Sequence, residues 1–384
     1  MSTADDVTRW LADKAAFMEE RTAILVEENS FTEHVEGGHR VAELLRDLFT
    51  IDGLVRRGVP STTFADHLIF ESVGRPDAAP ITLVGHYDTV FPPGTFEGFR
   101  IDGDLVRGPG VLDMKGGLVV VATALRALAD TAGLAALPPI RLVIVADEEV
   151  GSPEGKAIIE AAARGSQSAL VFEAGRAEDK IITMRKGTGG MKAIARGKAA
   201  HAGADHKSGA NALWALARFV DAVQKLTDYD RGVTVNVGRI VGGQGKNTVP
   251  DHATADIDLR FVTQHDAERL VADVHAAALE AAAGVPGTEL VLEGGVARLP
   301  LEKTTASEAL YRAYAEHAGQ AGLGTAEAAL IGGGSDASTT SALGIASIDG
   351  LGPRGKGFHT KDEQVERSSF VPKATALARF LLSR

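Results

Sequence analysis

Residues 143–146 form an uninterrupted apolar run that stops at Asp147-Glu148-Glu149, followed by Val150-Gly151-Ser152. A short apolar run bounded by a turn reads as a strand buried on both faces, the kind used in parallel sheets. Ligands of open α/β sheets bind beyond the carboxyl ends of such strands. Three carboxylates crowded at that end repel one another unless a cation neutralises them. Successive side chains of an extended chain point to opposite sides. Glu148 and Glu149 are therefore expected to do different work, one as a metal ligand and the other as a base. The competing reading is a solvated acidic loop, and this stretch alone does not choose between them.

The same pattern recurs upstream and downstream. An apolar run over 81–85 ends in His86-Tyr87-Asp88. His86 and Asp88, two apart, project to one side of an extended chain, which makes His86 a candidate ligand and Asp88 the carboxylate that orients it. A glycine-rich segment over 108–117 surrounds Asp113 and leads into an apolar helix over 118–128. Asp113 stands where an N-cap would, and its place between two other acid-bearing turns adds the ligand reading. A run over 168–172 ends in Glu173. The alternation of strand, turn and helix predicts an α/β fold with a doubly wound, mostly parallel sheet.

Helices are expected over 5–28 and 32–49, with short strands at 54–55 and 68–70. From Arg185 the pattern changes. Strands over 188–196, 233–241, 253–261 and 289–292 and helices over 209–226 and 266–283 follow the order βαββαβ, which is ferredoxin-like. Residues 185–296 are thus expected to form an inserted domain, and residues 1–184 and 297–384 a discontinuous catalytic one. In the resumed part, helices are expected over 307–318 and 368–382 and strands over 328–331 and 345–348. A loop over 355–363 holds His359 among glycines.

Composition narrows the chemistry. At 384 residues two domains are the better expectation. A net charge of −11 argues against nucleic acid as a partner. Cysteine is absent, so a metal site must use His, Asp and Glu. No apolar run approaches the ~20 residues that span a bilayer, and no cationic segment precedes an apolar one at the start. A cytoplasmic location and no membrane partner are expected. Two motifs fall short. Residues 238–248 lack a phosphate loop, since Ile240 stands at its first glycine position and Asn247 at its Ser/Thr. Gly333-Gly334-Ser335-Asp336-Ala337 breaks the nucleophile elbow at Ala337, and a Ser335/His359 hydrolase would leave the acid-bearing turns unexplained. Two imidazoles and four carboxylates suffice for two divalent ions, Zn best and Mn or Co as alternatives. Such ions bring the pKa of a water towards neutrality, and a nearby carboxylate can shuttle its proton to a leaving amine.

Taken together, the segments around His86-Tyr87-Asp88, Asp113, Asp147-Glu148-Glu149, Phe172-Glu173, His201-Ala202-Gly203, Asn247-Thr248-Val249-Pro250 and Gly357-Phe358-His359 resemble the M20 metallopeptidases. The segments around Gly334-Ser335-Asp336 and Asp258-Leu259-Arg260 are similar to the glutamate carboxypeptidase group within that family. The resemblance implies two Zn²⁺ per subunit, with His86 and Glu173 on one, Glu149 and His359 on the other, and Asp113 bridging. It implies Glu148 as general base and acid and Asp88 as the residue orienting His86. His201 would polarise the scissile carbonyl in the neighbouring subunit. Asn247, Gly334 and Ser335 would reach the substrate, and Arg260 would grip its terminal carboxylate with the fork suited to that group. The inserted domain would act as lid and homodimer interface. The activity implied is release of a C-terminal amino acid, glutamate being one candidate, from a peptide or N-acyl conjugate. An N-acyl-amino-acid amidohydrolase or dipeptidase is the alternative, and a non-enzymatic metal-dependent dimer is disfavoured by the acid at Glu148. Two departures stand out: Tyr87 replaces the usual Leu, and Ala174-Gly175 follows Glu173 where Pro is common.

Overall fold

A computed structural model describes residues 3–384. The chain divides into two compact units. The first takes the chain up to Met184 together with Lys303–Leu330 and Ser335–Arg384; the second takes Arg185–Glu302 and Ile331–Gly334.

The first unit is built on a six-stranded sheet ordered Leu54–Val59, His67–Ser72, Ile140–Val145, Ile81–His86, Ser168–Val171, Ala346–Ile348. The last four run parallel to one another, and the first two add antiparallel at one edge. Ile81–His86 is buried at every position, as a strand covered on both faces must be. The chain passes from it to Ile140–Val145 through helix Lys115–Thr131, then back across it to Ser168–Val171 through helix Gly155–Ala163. Two right-handed crossovers in opposite directions put those helices on opposite faces and open a crevice at the carboxyl ends of the strands. His86, Asp147 to Glu149 and Glu173 all stand at those ends. Helix Lys115–Thr131 approaches the sheet closely at Gly117, where a Cβ would come within 2.2 Å of the Phe172 carbonyl oxygen.

Three features depart from the sequence expectation. The helix expected over 5–28 is two helices, Thr3–Leu11 and Ala15–Glu27, with no Gly or Pro at the break. Each packs separately on the Lys115–Thr131 helix, so tertiary packing overrides a continuous periodicity. Residues 328–331 form no strand; this stretch makes only isolated bridges, the neighbouring Glu327 with Ile181 and Ile331 with Arg185. The stretch over 355–363 is no simple loop. Gly355–Lys356 and Gln364–Glu366 form a hairpin, which pairs with Leu105–Arg107 and then Arg100–Asp102 in a small antiparallel sheet.

The second unit has the order βαββαβ over Gly187–Arg196, Ala212–Gln224, Thr234–Gly242, His252–Phe261, Gln264–Ala283 and Glu289–Arg298. Its sheet runs Thr234–Gly242, His252–Phe261, Gly187–Arg196, Glu289–Arg298, the ferredoxin-like arrangement. Alternate residues such as Ala193, Ala195, Ile257 and Leu259 face a core shared with Leu216, Phe219, Leu270 and Val274 of the two helices. Among the described residues no helix is long and apolar enough to cross a membrane.

Candidate metal centre

Each acidic or imidazole side chain of the crevice is held by the element that delivers it. His86 is the last residue of its strand and is buried. Its Nδ1 lies 3.1 Å from the Asp88 carbonyl oxygen and 3.2 Å from Asp88 Oδ1, both acceptors. The ring proton therefore sits on Nδ1, and the Nε2 lone pair is turned away from Asp88. Asp88 does more than orient this ring. Its Oδ1 accepts from the Glu148 N–H at 3.1 Å, and its Oδ2 from the Glu149 N–H at 3.1 Å and the Thr32 hydroxyl at 2.8 Å. One buried carboxylate thus fixes both His86 and the turn that carries the two glutamates.

His86 Nε2 lies 3.4 Å from Asp113 Oδ1 and 3.6 Å from Glu173 Oε1. On the other side His359 Nε2 lies 3.4 Å from Asp113 Oδ2 and 3.1 Å from Glu149 Oε2. The two oxygens of Asp113 therefore face two different imidazoles. A donor atom of Glu148 falls within 4.8 Å of donors of His86 and Glu173, and one of Glu149 within the same distance of His86 and Asp113. Asp113 does not cap the helix that follows: the capping position belongs to Met114, with no side-chain bond.

The donor set fits divalent cations. His86 Nε2 and Asp113 Oδ1 are buried without a hydrogen-bond partner, a costly state unless something else satisfies them. Two donors bound at ~2.1 Å to one tetrahedral ion stand about 3.4 Å apart, close to the separations here. Without cations the groups can only neutralise one another. Burial pushes Glu173 well above the usual carboxylate range, and Asp113 beside it adds to the effect. Burial likewise raises Glu149. For His86, burial disfavours charge, but Glu173, Asp113 and Asp88 outweigh it and raise the ring well above its ordinary value. Hydrogen bonds to Asp113 and Glu149 take His359 up to about 10. Burial would raise Asp113 too, but the two imidazoles hold it far below the usual range.

His359 reaches Asp113 because the hairpin that bears it is laid on Leu105–Arg107, the strand that runs directly into the Asp113 segment. His359 itself has φ +61° and the preceding turn residue Gly357 φ +84°. The left-handed region costs a side-chain-bearing residue ~1–3 kcal/mol and persists only where the surroundings over-determine it. Sequence reasoning overlooked Glu363 in this hairpin. It is fully buried and accepts from the N–H groups of Gly110, Leu112 and Asp113 at 3.1, 2.8 and 3.0 Å. Burial takes its carboxyl up to about 7 against the pull of those bonds. Asp147, grouped in sequence with Glu148 and Glu149, serves the backbone instead: it is fully buried and accepts from the Glu154 and Gly155 N–H groups at the start of the next helix. Single acids inside polar loops carry no periodic signal that separates them from solvated ones.

The remaining sequence candidates distribute between the units. Ser335, in the first, is fully buried; its hydroxyl donates to Asp349 at 2.7 Å. Its expected substrate contact is thus not open, because the hydroxyl already anchors its own turn. In the second unit, Ala200–His201 pairs with Thr248–Val249 and brings Asn247 beside His201, with the Ala202 N–H donating to the Asn247 carbonyl at 2.9 Å. His201 Nδ1 accepts from the N–H groups of Gly203 and Ala204 at 3.1 and 3.0 Å, which leaves the proton on Nε2 as an outward donor. Arg260 donates through Nε and Nη2 to Asp258 at 2.9 and 3.0 Å, so one side of its fork is occupied and the Nη1 end remains. Gly334 lies against Arg298, where a Cβ would come within 3.0 Å of Cδ. Tyr87 is fully buried, and its hydroxyl donates to the Asp66 carbonyl at 2.6 Å.

Residues 183–285 match the M20 peptidase dimerisation domain. The chain is 27% identical over 361 residues to carboxypeptidase G2 of Pseudomonas sp. strain RS-16, a match covering 90% of this chain and 82% of that one. Among solved structures, aminopeptidase PepT of Bacillus cereus superposes with a TM-score of 0.82 at 21% identity, over 96% of this chain and 99% of the other. The YXEP protein of Bacillus subtilis, described as a dinuclear metal-binding peptidase of the M20 family, superposes with a TM-score of 0.74 at 15% identity, over 97% and 99%. These two likenesses speak to the fold. With the dimerisation-domain match and the nearly full-length likeness to carboxypeptidase G2, the chain is similar to the M20 metallopeptidases, and its cluster of acids and imidazoles has the donors a metal-dependent hydrolase of the peptide bond would need.

Proposed function

We propose that the chain is a di-zinc carboxypeptidase that hydrolyses the amide bond to a C-terminal amino acid, glutamate foremost, of a peptide or N-acyl conjugate. The observation that carries this reading is the pair of Asp113 oxygens, each 3.4 Å from a different imidazole. His86 and Glu173 would hold one ion and Glu149 and His359 the other, with Asp113 between them. Ions bound there would lower the pKa of water and polarise a carbonyl. The chain's residues do the rest. Glu148 takes a proton from the attacking water as its oxygen bonds to the scissile carbon. It returns that proton to the leaving nitrogen as the C–N bond breaks, which yields a carboxylic acid and a free amine. Asp88 keeps the His86 lone pair and the Glu148-Glu149 turn in register. The Nε2–H of His201 is available to a carbonyl oxygen, and the free end of the Arg260 fork suits a terminal carboxylate.

A homodimer through the second unit belongs to the same reading. Thr234–Gly242 is an edge strand that ends in exposed Ile240 and Val241. Exposed Leu213 adjoins it, its Cδ1 3.0 Å from where a Gly242 Cβ would stand, and exposed Trp214 follows. An apolar, unprotected edge invites pairing, and two copies related by a twofold axis would pair it with itself.

The test is release of amino acids from N-acyl-glutamate and from N-acyl conjugates of neutral residues, with and without a chelator. Chelator-sensitive turnover favouring glutamate is expected, and Glu148→Gln should retain metal while losing turnover. Chelator-insensitive hydrolysis would reject the reading, and equal rates across C-terminal residues would move it to a general amidohydrolase or dipeptidase.

A further inference from the structure

We propose that Glu363 is a positioning residue: its buried carboxylate pins the segment that carries Asp113 to the hairpin that carries His359. It thereby sets the spacing between two ligands from distant parts of the chain. The inference rests on the metal-centre reading above and adds a residue to it.

Three observations carry it. Glu363 is fully buried, and its carboxylate is spent on one turn of the backbone. Oε1 accepts from the N–H groups of Leu112 and Asp113, and Oε2 from Gly110, across about 250 residues of sequence. A carboxylate that takes three backbone N–H groups fixes the dihedrals of that turn and hence the direction of the Asp113 side chain. Second, Glu363 ends the turn that begins at Gly357 and contains His359, and its own N–H donates to the Thr360 carbonyl at 3.2 Å. Third, the strand after it, Gln364–Glu366, pairs with Leu105–Arg107 immediately before the Asp113 segment. The strand pairing brings the two segments side by side, and Glu363 locks their ends together. Asp113 Oδ2 and His359 Nε2 then stand 3.4 Å apart as a consequence.

Glu363→Gln leaves the volume of the side chain nearly unchanged but replaces one acceptor oxygen with a donor. In one amide orientation the new NH₂ faces the Gly110 N–H; in the other it faces those of Leu112 and Asp113. At least one buried N–H loses its partner in either case. The experiment has two readouts on the metal-free full chain. One is hydrogen exchange at the amides of Gly110, Leu112 and Asp113. The other is zinc titration against a competing chelating dye. Expected in Glu363→Gln are faster exchange at those amides and zinc binding weakened about 10–100-fold, the usual consequence of losing a residue that orients ligands. A merely structural role would lower the melting temperature and leave zinc affinity of the folded molecules unchanged, and that result overturns the proposal. Glu363→Asp, which keeps the charge but is one methylene too short to reach all three amides, provides the second variant should the first not fold. It should show the same two changes in weaker form; wild-type zinc affinity in folded Glu363→Asp also overturns the proposal. A wild-type protein that takes up no zinc refutes the metal-centre reading instead, and protection of the three amides would then still support the clamp.

Discussion

Replacing Asp88 by Asn tests the idea that one buried carboxylate organises both His86 and the Glu148-Glu149 turn. Asp88 accepts from four donors: His86 Nδ1, the Thr32 hydroxyl and the N–H groups of Glu148 and Glu149. Asn keeps the shape but has one acceptor oxygen. With its NH₂ in the place of Oδ2, the Thr32 hydroxyl can rotate to accept, but the Glu149 N–H faces another donor. With its NH₂ in the place of Oδ1, both the Glu148 N–H and the His86 Nδ1–H face another donor; the first loses its acceptor and the second keeps only the Asp88 carbonyl oxygen. The first orientation is the cheaper. It leaves one buried N–H unpaired and removes a charge-assisted bond, a loss of about 2 kcal/mol. For a unit of this size that corresponds to a melting-temperature drop of roughly 4–6 °C in the metal-free protein. Glu149, no longer held by its own N–H, should also bind metal about 10–100-fold more weakly. Differential scanning calorimetry of the metal-free protein and a zinc competition titration measure the two effects separately. A folded Asp88→Asn protein with wild-type zinc affinity would refute the reasoning, because the carboxylate would then be an ordinary buried acid.

Two further outcomes are expected. Asp266 lies in the first turn of helix Gln264–Ala283; burial works to raise its pKa, but hydrogen bonds from Thr263 and Arg231 outweigh it and hold the carboxyl below its usual value. A depressed folded pKa contributes stability above the unfolded value of ~3.9 and loses it as pH falls through the folded one. Asp266→Asn should therefore weaken hydrogen-exchange protection of that helix by about 1 kcal/mol at pH 7. The gap from wild type should close below about pH 4, and a gap that stays constant would contradict the assignment. At the edge strand of the second unit, Ile240→Glu places a charge where apolar pairing is proposed; light scattering should show the mass falling from twice 40.1 kDa to 40.1 kDa. A dimer that persists would move the interface elsewhere.

Much of this architecture is legible in local order along the chain. A short, largely apolar run that ends in a carboxylate or an imidazole announces both a buried parallel strand and the end at which chemistry collects. His86, Glu148, Glu149 and Glu173 follow from that one rule, because a strand's burial and its polar terminus are neighbours in sequence. The βαββαβ order of the second unit is readable for the same reason: alternation along Gly187–Arg196 and His252–Phe261 is a local property. What tertiary structure alone decided are the contacts between segments with no periodicity of their own. The hairpin of Gly355–Lys356 and Gln364–Glu366 is too short to announce itself, yet its pairing with Leu105–Arg107 delivers His359 to Asp113. Glu363 and Ser335 look like any loop acid and any loop hydroxyl until burial assigns them to backbone N–H groups and to Asp349. The split of the first helix into Thr3–Leu11 and Ala15–Glu27 contradicts a continuous apolar stripe, since packing on the Lys115–Thr131 helix outweighs propensity. Local sequence determined where charge would gather at strand ends; only the folded chain determined which distant charges would meet, because that depends on register and burial across hundreds of residues.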